Sequence, residues 1–164
     1  KGKHIINYVT FCLSKKQIFK LDYGNLKAEF KKYNRVSLSN IRQAVINVRN
    51  SKLPKSEEIG NAGSFFKNPV VYNNIIDELK KTYTDIHIYL QKDNLVKIPA
   101  GCVIEKTGWR GKNIGEVGVH KNQALVLINH GGAKGQEIVN LAQEIQISVK
   151  EKFGIEIEME INLV

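Results

Sequence analysis

The chain has 164 residues, 42% of them hydrophobic and 25% charged, which is enough apolar material for the core of one domain of ordinary size. No apolar run approaches the roughly 20 residues that a membrane-spanning helix needs, so no membrane span and no membrane partner are predicted. With 25 basic and 16 acidic residues the net charge is +9, which is typical of proteins that bind nucleic acid or a smaller anion.

The N-terminal part of the chain predicts one strand, one turn and one helix. Residues 4–14, HIINYVTFCLS, are β-branched and aromatic and predict a strand. Residues 22–25, DYGN, predict a turn. A helix is expected to begin after a serine cap, either Ser37 or Ser39, and to continue through Arg49, because apolar residues recur there at helical spacing.

The middle of the chain alternates between helical and extended patterns. Residues 51–63, SKLPKSEEIGNAG, predict a loop because a proline and two glycines interrupt any regular pattern. A second helix is expected over residues 70–81 and a strand over residues 85–90. Pro99 is expected to begin a brief helix within residues 97–109, because proline is favoured in the first turn.

The C-terminal third gives the clearest patterns. Residues 116–129 predict two strands with a tight connection at 121–122. Residues 136–152 predict a helix with one apolar stripe, ended by Gly154. The tail 155–163 alternates strictly between apolar and polar side chains and predicts a strand. We therefore predict the α+β class, with a mixed sheet and several helices.

The positive charge is spread thinly along the chain. Lysine pairs at 15–16, 31–32 and 80–81 are accompanied by no arginine-rich run, aromatic RNA-binding motif or zinc spacing, so no nucleic-acid partner is predicted and a diphosphate-like anion is favoured. The histidines show no paired spacing, and no metal site is predicted. Cys12 and Cys102 match no metal or redox spacing and are interpreted as small buried residues of a cytoplasmic protein.

The segment 60–69, GNAGSFFKNP, is the candidate site. Ser64 follows a glycine and has the ordinary interpretation of a turn residue. It is no nucleophile elbow, because Phe66 stands where G-x-S-x-G needs a glycine. Glycine permits close approach of a flat ligand, and Lys67 and Asn68 add a charge and an amide. A hydroxyl held rigidly here could donate a proton, so the turn and the ligand site both remain open.

The three glutamates of the tail are the other candidate group. The ordinary interpretation is a solvated strand face, since same-face neighbours lie about 6.6–7 Å apart and the spacing alone selects none of them. Lys52 and Tyr23 would ordinarily be a surface lysine and a turn aromatic. From the residues alone, the chain is an α+β domain suited to an anion, with one glycine- and serine-rich loop.

Four segments in order resemble one known family. Residues 51–71, SKLPKSEEIGNAGSFFKNPVV, resemble the substrate-binding domain of the UDP-N-acetylenolpyruvoylglucosamine reductase family. The same resemblance extends to 22–26, 100–129 and 149–164, and covers nearly the whole chain from Leu21 onward. The turn at residues 22–25, which contains Tyr23, resembles the corresponding segment of the family's subclass in which a mobile tyrosine loop closes over the substrate.

This resemblance implies a reaction and its cofactors. The family reduces UDP-N-acetylglucosamine enolpyruvate to UDP-N-acetylmuramate for bacterial peptidoglycan. NADPH reduces FAD, the flavin passes hydride to C3 of the enolpyruvyl group, and the resulting enolate is protonated at C2. Such an acceptor requires stabilisation of the charge that moves onto its oxygens.

The resemblance also assigns roles to residues. The family's proton-donating serine falls on Ser64, and its second catalytic acid falls on Glu160, which alignment through EKFG (151–154) selects among the glutamates. Gly63 is assigned to cofactor binding. The residues assigned to substrate binding are Tyr23, Lys52, Asn68, Gln123 and Arg110.

The domain assignment follows from the same resemblance. Residues 1–20 are expected to be the last strand or linker of the FAD-binding region, and residues 21–164 the UDP-sugar domain. FAD is then bound mainly outside this chain, together with the family's catalytic arginine, so the chain alone is expected neither to hold FAD well nor to turn over. Asn162 stands where an arginine is common in the family.

Two other classes of function remain as alternatives. The first is a non-catalytic module that binds a nucleotide sugar or another anion, which the lack of a glycine-rich FAD-binding region upstream would favour. The second is a basic nucleic-acid-binding domain, which salt-sensitive binding to random DNA would favour. The sequence predicts no oligomeric state.

Overall fold

The computed structural model describes residues 5–22 and 25–163, which divide into two compact units, 1–48 and 49–164. The elements are α1 (Leu26–Phe30), α2 (Leu38–Lys52), β1 (Gly60–Ser64), β2 (Val70–Tyr72), α3 (Asn73–Thr82), β3 (Tyr89–Leu90), β4 (Leu95–Lys97), α4 (Ala100–Lys106), β5 (Asn113–Ile114), β6 (Val117–Val119), β7 (Val126–Asn129) and α5 (Gly135–Phe153).

The first unit holds α1 and most of α2. The predicted serine cap is confirmed at Ser37, whose Oγ accepts the N–H of Asn40 at 3.2 Å. The helix ends at Lys52, slightly beyond the predicted Arg49. Within the unit, the Asn47 side-chain amide donates to the Glu29 carboxylate at 2.9 Å and so ties α2 to α1.

The predicted strand at 4–14 is wrong for the residues that the structure describes there, 5–14. None of them lies in a strand, and their large apolar side chains are exposed. A run of β-branched and aromatic residues forms a strand only where another strand pairs with it and covers one face. The prediction of buried cysteines is also wrong for Cys12, which is exposed, whereas Cys102 is half-buried.

The second unit contains two sheets. One has the strand order β1-β7-β6-β5 and the other β2-β4-β3. The α+β class is confirmed. Every described pairing is antiparallel, so two antiparallel sheets stand in place of the single mixed sheet expected. The two strands expected within 116–129 are confirmed as β6 and β7.

Three predicted boundaries shift in this unit. Residues 60–64, expected as part of a loop, form β1. This strand lies at the edge of the sheet and pairs with β7, with a bulge between Asn61 and Ser64. Pairing with β7 overrides the weak strand propensity of glycine, and the bulge absorbs the irregularity. The helix expected from 70 begins at Asn73 because β2 precedes it, and the strand expected over 85–90 shortens to β3.

Helix α5 covers the core. Its apolar stripe is buried against β6, β7 and α4, as the predicted spacing requires. Gly154 ends the helix with φ +65°, and its N–H donates to the Lys150 carbonyl at 2.8 Å, which confirms the predicted C-cap. The helix expected after Pro99 is confirmed as α4.

The tail follows the predicted alternation without forming the predicted strand. Ile155 and Ile157 are buried and all three glutamates are exposed. The tail makes a single antiparallel bridge, between Phe66 and Met159, so it is an extended segment and no ladder. Alternation reports which side chains are buried, whereas a strand also needs a partner along its length.

Candidate functional site

Ser64 lies at the end of β1, directly before Phe65, whose backbone N–H and carbonyl both make hydrogen bonds. The Phe65 N–H donates to the Leu125 carbonyl at 2.9 Å, and the Phe65 carbonyl accepts the N–H of Glu160 at 2.8 Å. The Phe65 and Phe66 side chains are 2% and 0% exposed, and their rings meet edge to face at 5.3 Å. Ser64 itself is exposed, so a hydroxyl is presented to solvent from a firmly held backbone.

Gly63 gives this strand end its shape. Its φ is +71°, a conformation that residues with a side chain rarely adopt, and space is open where a side chain would point. The Asn61 Oδ1 accepts the Gly63 N–H at 3.1 Å and holds the turn. The backbone beside Ser64 is therefore accessible to a flat ligand.

The tail that carries Glu160 bonds to the backbone that follows Ser64. The Glu160 N–H donates to the Phe65 carbonyl, and the Lys67 N–H donates to the Glu158 carbonyl at 2.8 Å. The segments that carry the two predicted catalytic residues, Ser64 and Glu160, thus run antiparallel and bond to each other next to Phe65, a contact that we name the crossing at Phe65. Both side chains are exposed.

Asn68 and Gln123 lie around the N-terminal end of α4. The Asn68 Oδ1 accepts the N–H of Ala100 at 2.8 Å, so the side-chain oxygen is used in the fold and the NH₂ group is the end suited to a ligand. The Gln123 Oε1 accepts the Leu125 N–H at 3.4 Å and lies 3.1 Å from where a Cβ on Gly101 would be. The Leu125 carbonyl accepts the Phe65 N–H, so Gln123 is linked through Leu125 to the residue that follows Ser64.

Arg110 and Ser51, the neighbour of Lys52, bond to the loop before Gln123. The Arg110 Nε donates to the Lys121 carbonyl at 2.7 Å, and its Nη1 pairs with Glu105 at 2.5 Å. The Asn122 side chain donates to the carbonyl of Ser51, the neighbour of Lys52, at 3.0 Å. The Glu105 partner offsets part of the Arg110 charge, and Lys52 is half-buried at the end of α2.

The loop 120–125 is the common element of the site. It contains Gln123. Its backbone and side chains bond to Phe65, which follows Ser64, to Arg110, and to Ser51, which precedes Lys52. Tyr23 lies outside the described residues.

A cleft of about 400 Å³ opens beside this loop. Pro54, Lys55, Gly111, His120 and Lys121 line it, together with apolar side chains of the first sheet. Burial first, and then the charge of Lys121, lower the pKa of His120. The cleft contains none of the predicted site residues, but Gly111, the sequence neighbour of Arg110, lines it. Lys55 and Lys121 bring positive charge to its lining, and Glu58, which pairs with Lys55 at 2.6 Å, offsets part of that charge.

Two site features escaped sequence reasoning. The Lys67 Nζ pairs with the Glu158 carboxylate at 2.5 Å across the crossing at Phe65. Asn61 supports Gly63. Lys67 and Glu158 stand in motifs that the sequence singles out, but no pattern pairs residues so far apart along the chain.

The described residues contain neither a metal-binding cluster nor a helix suited to a membrane. In ranges 5–22 and 25–163, no group of three or more His, Cys, Asp or Glu side chains is arranged to hold a metal. Across the same ranges, each helix is too short or too polar to cross a membrane.

Comparison with known proteins gives one consistent result. Residues 54–164 match the family described as UDP-N-acetylenolpyruvoylglucosamine reductase, C-terminal domain. Proteins named UDP-N-acetylenolpyruvoylglucosamine reductase are 43% identical in Bacteroides fragilis, 44% in Flavobacterium johnsoniae and 45% in Porphyromonas gingivalis. These alignments cover 97%, 100% and 97% of this chain and 48%, 50% and 47% of the relatives.

The fold and the match define a C-terminal reductase domain of the α+β class. The chain belongs to the UDP-N-acetylenolpyruvoylglucosamine reductase family. It spans about half the length of the relatives it matches, from 47% to 50% for the three proteins compared.

Proposed function

We propose that this chain is the UDP-sugar-binding part of a flavoenzyme that reduces UDP-N-acetylglucosamine enolpyruvate to UDP-N-acetylmuramate with NADPH in bacterial peptidoglycan synthesis. The observation that carries the proposal is the crossing at Phe65, where the segments that carry Ser64 and Glu160 bond to each other although they are far apart in sequence. Family membership suggests the reaction, and the backbone contact at the crossing supports the proposal that Ser64 and Glu160 act in the same site.

The proposed chemistry of this chain is proton transfer to the substrate. Bound FAD, once reduced by NADPH, supplies the hydride that reaches C3 of the enolpyruvyl group. The Ser64 hydroxyl donates its proton to C2, where negative charge has developed. Serine is a weak acid, but a carbanion-like centre is a strong enough base to take its proton if the two are aligned. Glu160 is proposed as the second catalytic acid, acting where charge develops on the substrate carboxylate.

The residues present fit one edge of the flavin. The open backbone at Gly63 admits a flat ring beside the Ser64 hydroxyl, as proton delivery next to a hydride donor requires. We propose that Gly63 contacts the cofactor and that most FAD contacts come from outside residues 21–164, the proposed UDP-sugar domain. Residues 1–20 are proposed as the last strand or linker of the FAD-binding region.

The diphosphate is proposed to bind near the loop 120–125. Lys52 and Arg110 supply charge there, and a charge-assisted hydrogen bond suits a phosphate oxygen. The Asn68 NH₂ group and Gln123 add polar contacts, and Tyr23 is proposed to close over the substrate. The cleft beside the loop is within the size range of small-ligand sites, about 300–1,000 Å³. A cytoplasmic location is proposed with this substrate.

The experiment that tests the proposal separates the two half-reactions in the full-length protein. Ser64→Ala should slow transfer from the reduced flavin to the UDP-sugar, followed by stopped-flow absorbance, and should spare flavin reduction by NADPH. The matched control is Ser148→Ala, which removes an exposed hydroxyl of α5 that bonds only the Glu144 carbonyl among its described contacts. Equal slowing of both half-reactions by Ser64→Ala would refute the proton-donor role.

A second candidate is a nucleotide-sugar- or anion-binding module without catalysis. The positive charges of Lys55 and Lys121 in the lining of the cleft favour it, with Glu58 offsetting part of the charge of Lys55. This function predicts that the full-length protein binds the UDP-sugar and that Ser64→Ala changes no rate.

A further inference from the structure

We propose that the ion pair between Lys67 and Glu158 is a positioning device that aligns Glu160 with Ser64 for the reaction. This inference rests on the proposed function. The Lys67 Nζ and the Glu158 Oε2 are 2.5 Å apart, although the two residues are separated by 91 positions in the chain. The pair therefore joins the segment after Ser64 to the tail that carries Glu160.

Lys67 and Glu158 are joined by a backbone hydrogen bond in addition to the ion pair. The Lys67 N–H donates to the Glu158 carbonyl at 2.8 Å, so main chain and side chain of both residues meet at one point. Two residues further along the tail, the Glu160 N–H donates to the Phe65 carbonyl. Fixing Glu158 against Lys67 thus sets the direction in which the tail continues to Glu160.

The tail needs such a device because its packing weakens as it approaches Glu160. Ile155 and Ile157 are buried, Met159 and Ile161 are only half-buried, and Glu160 is exposed. A single bridge, Phe66 with Met159, replaces the ladder that a strand would have. The last firmly packed side chain precedes Glu158, so the ion pair acts where apolar burial stops holding the tail.

The pair is too exposed to contribute much to folding. The side chains of Lys67 and Glu158 are 46% and 74% exposed, and solvent screens ion pairs of this kind. Orientation is a different matter, because a shift of about 1 Å in a reacting group can slow a reaction about a hundredfold. The expected signature is a slow reaction in a protein that folds normally.

The first test removes the charge of Lys67 and keeps its length. In the full-length protein, Lys67→Met should lower the rate of the flavin-to-substrate step about tenfold, with KM for the UDP-sugar and the melting temperature nearly unchanged. Amide hydrogen exchange at Glu160 should become faster, which gives a readout that does not depend on turnover. A wild-type rate in Lys67→Met would overturn the inference.

The matched control breaks another ion pair of the same tail. The Lys150 Nζ pairs with Glu156 at 2.7 Å, with side chains 64% and 76% exposed. Lys150→Met should leave the reaction rate and the exchange at Glu160 unchanged. If it slows the reaction as much as Lys67→Met, any loss of tail charge is harmful and Lys67 has no special positioning role.

A charge reversal distinguishes positioning from a direct effect of the lysine charge on the substrate. Lys67→Glu alone should be slow, and Lys67→Glu combined with Glu158→Lys should recover most of the rate because the pair forms again with opposite polarity. No recovery would overturn the positioning role and favour a direct charge effect. Ser64→Ala in the same assay separates the two proposals: a wild-type rate there overturns the proposed function, whereas a slow Ser64→Ala beside a wild-type Lys67→Met overturns only the positioning role.

Discussion

Ser64 owes its position to the residue that follows it, because Phe65 is bonded through its N–H to Leu125 and through its carbonyl to Glu160. The phenyl ring of Phe65 is buried in the core and holds Phe65 there as well. The backbone that carries the Ser64 hydroxyl is therefore held in place. For the proton donor that we propose, a weak acid, placement matters more than acidity.

Lys52 is the residue on which anion binding is expected to depend most. Lys52→Ala should weaken binding of the UDP-sugar by about 1.5–3 kcal/mol, the range for a hydrogen bond to a charged group. Isothermal titration calorimetry on the full-length protein measures this loss. Lys81→Ala, which removes an exposed lysine paired with Glu78 on α3, is the control and should change the affinity little. An unchanged affinity in Lys52→Ala would remove Lys52 from the site.

Single residues differ in how far the sequence could predict them. The resemblance assigned roles to Ser64 and Glu160, and the structure adds that their segments cross. The pairing of Lys67 with Glu158 could not be predicted, because it depends on how the tail packs and on no local pattern. The structural use of the Asn68 oxygen at the start of α4 was missed for the same reason.

At the scale of elements, β1 and the tail show how position in the sheet overrides local propensity. β1 is glycine-rich and was predicted as a loop, yet it pairs with β7. The tail was predicted as a strand from a strict alternation, yet it makes one bridge. Both cases depend on whether a neighbouring strand is present to pair with the segment, and this cannot be predicted from the local sequence. Helix α5 was predicted well because its stripe and its cap are both local signals.

The C-cap of α5 provides a prediction at this scale. Gly154→Ala should lower the free energy of unfolding by about 1–2 kcal/mol, because alanine is strained at a φ of +65°. Urea unfolding followed by circular dichroism measures the change. Gly135→Ala is the matched control, since a Cβ there meets no atom within 4 Å and Gly135 has no positive φ. Equal destabilisation by both substitutions would mean that the left-handed conformation is not the cause.

At the scale of the molecule, the core of the second unit supports the site indirectly. The side chains of α5 pack against the first sheet, whose strand β7 pairs with β1 and so carries Ser64. The chain also carries a net charge of +9, and Lys55 and Lys121 bring part of that charge to the cleft beside the loop 120–125. The core was predictable from periodicity, whereas the cleft was not.

Two isoleucines of α5 test this picture of the core. Ile145 is fully buried and Ile147 is 56% exposed. Ile145→Ala should cost about 2–5 kcal/mol in unfolding free energy, because it removes buried methyl groups and leaves a cavity. Ile147→Ala should change it by no more than about 0.5 kcal/mol. Similar costs for both, measured by urea unfolding, would contradict the orientation of α5.

The most direct test of the account is a crystal structure of the full-length protein with FAD and the enolpyruvyl UDP-sugar. We expect the Ser64 Oγ about 3–3.5 Å from C2 of the enolpyruvyl group, the separation at which reacting atoms meet. If C2 lies beyond the reach of that oxygen, with no bridging water and another acid in contact with it, Ser64 is not the proton donor.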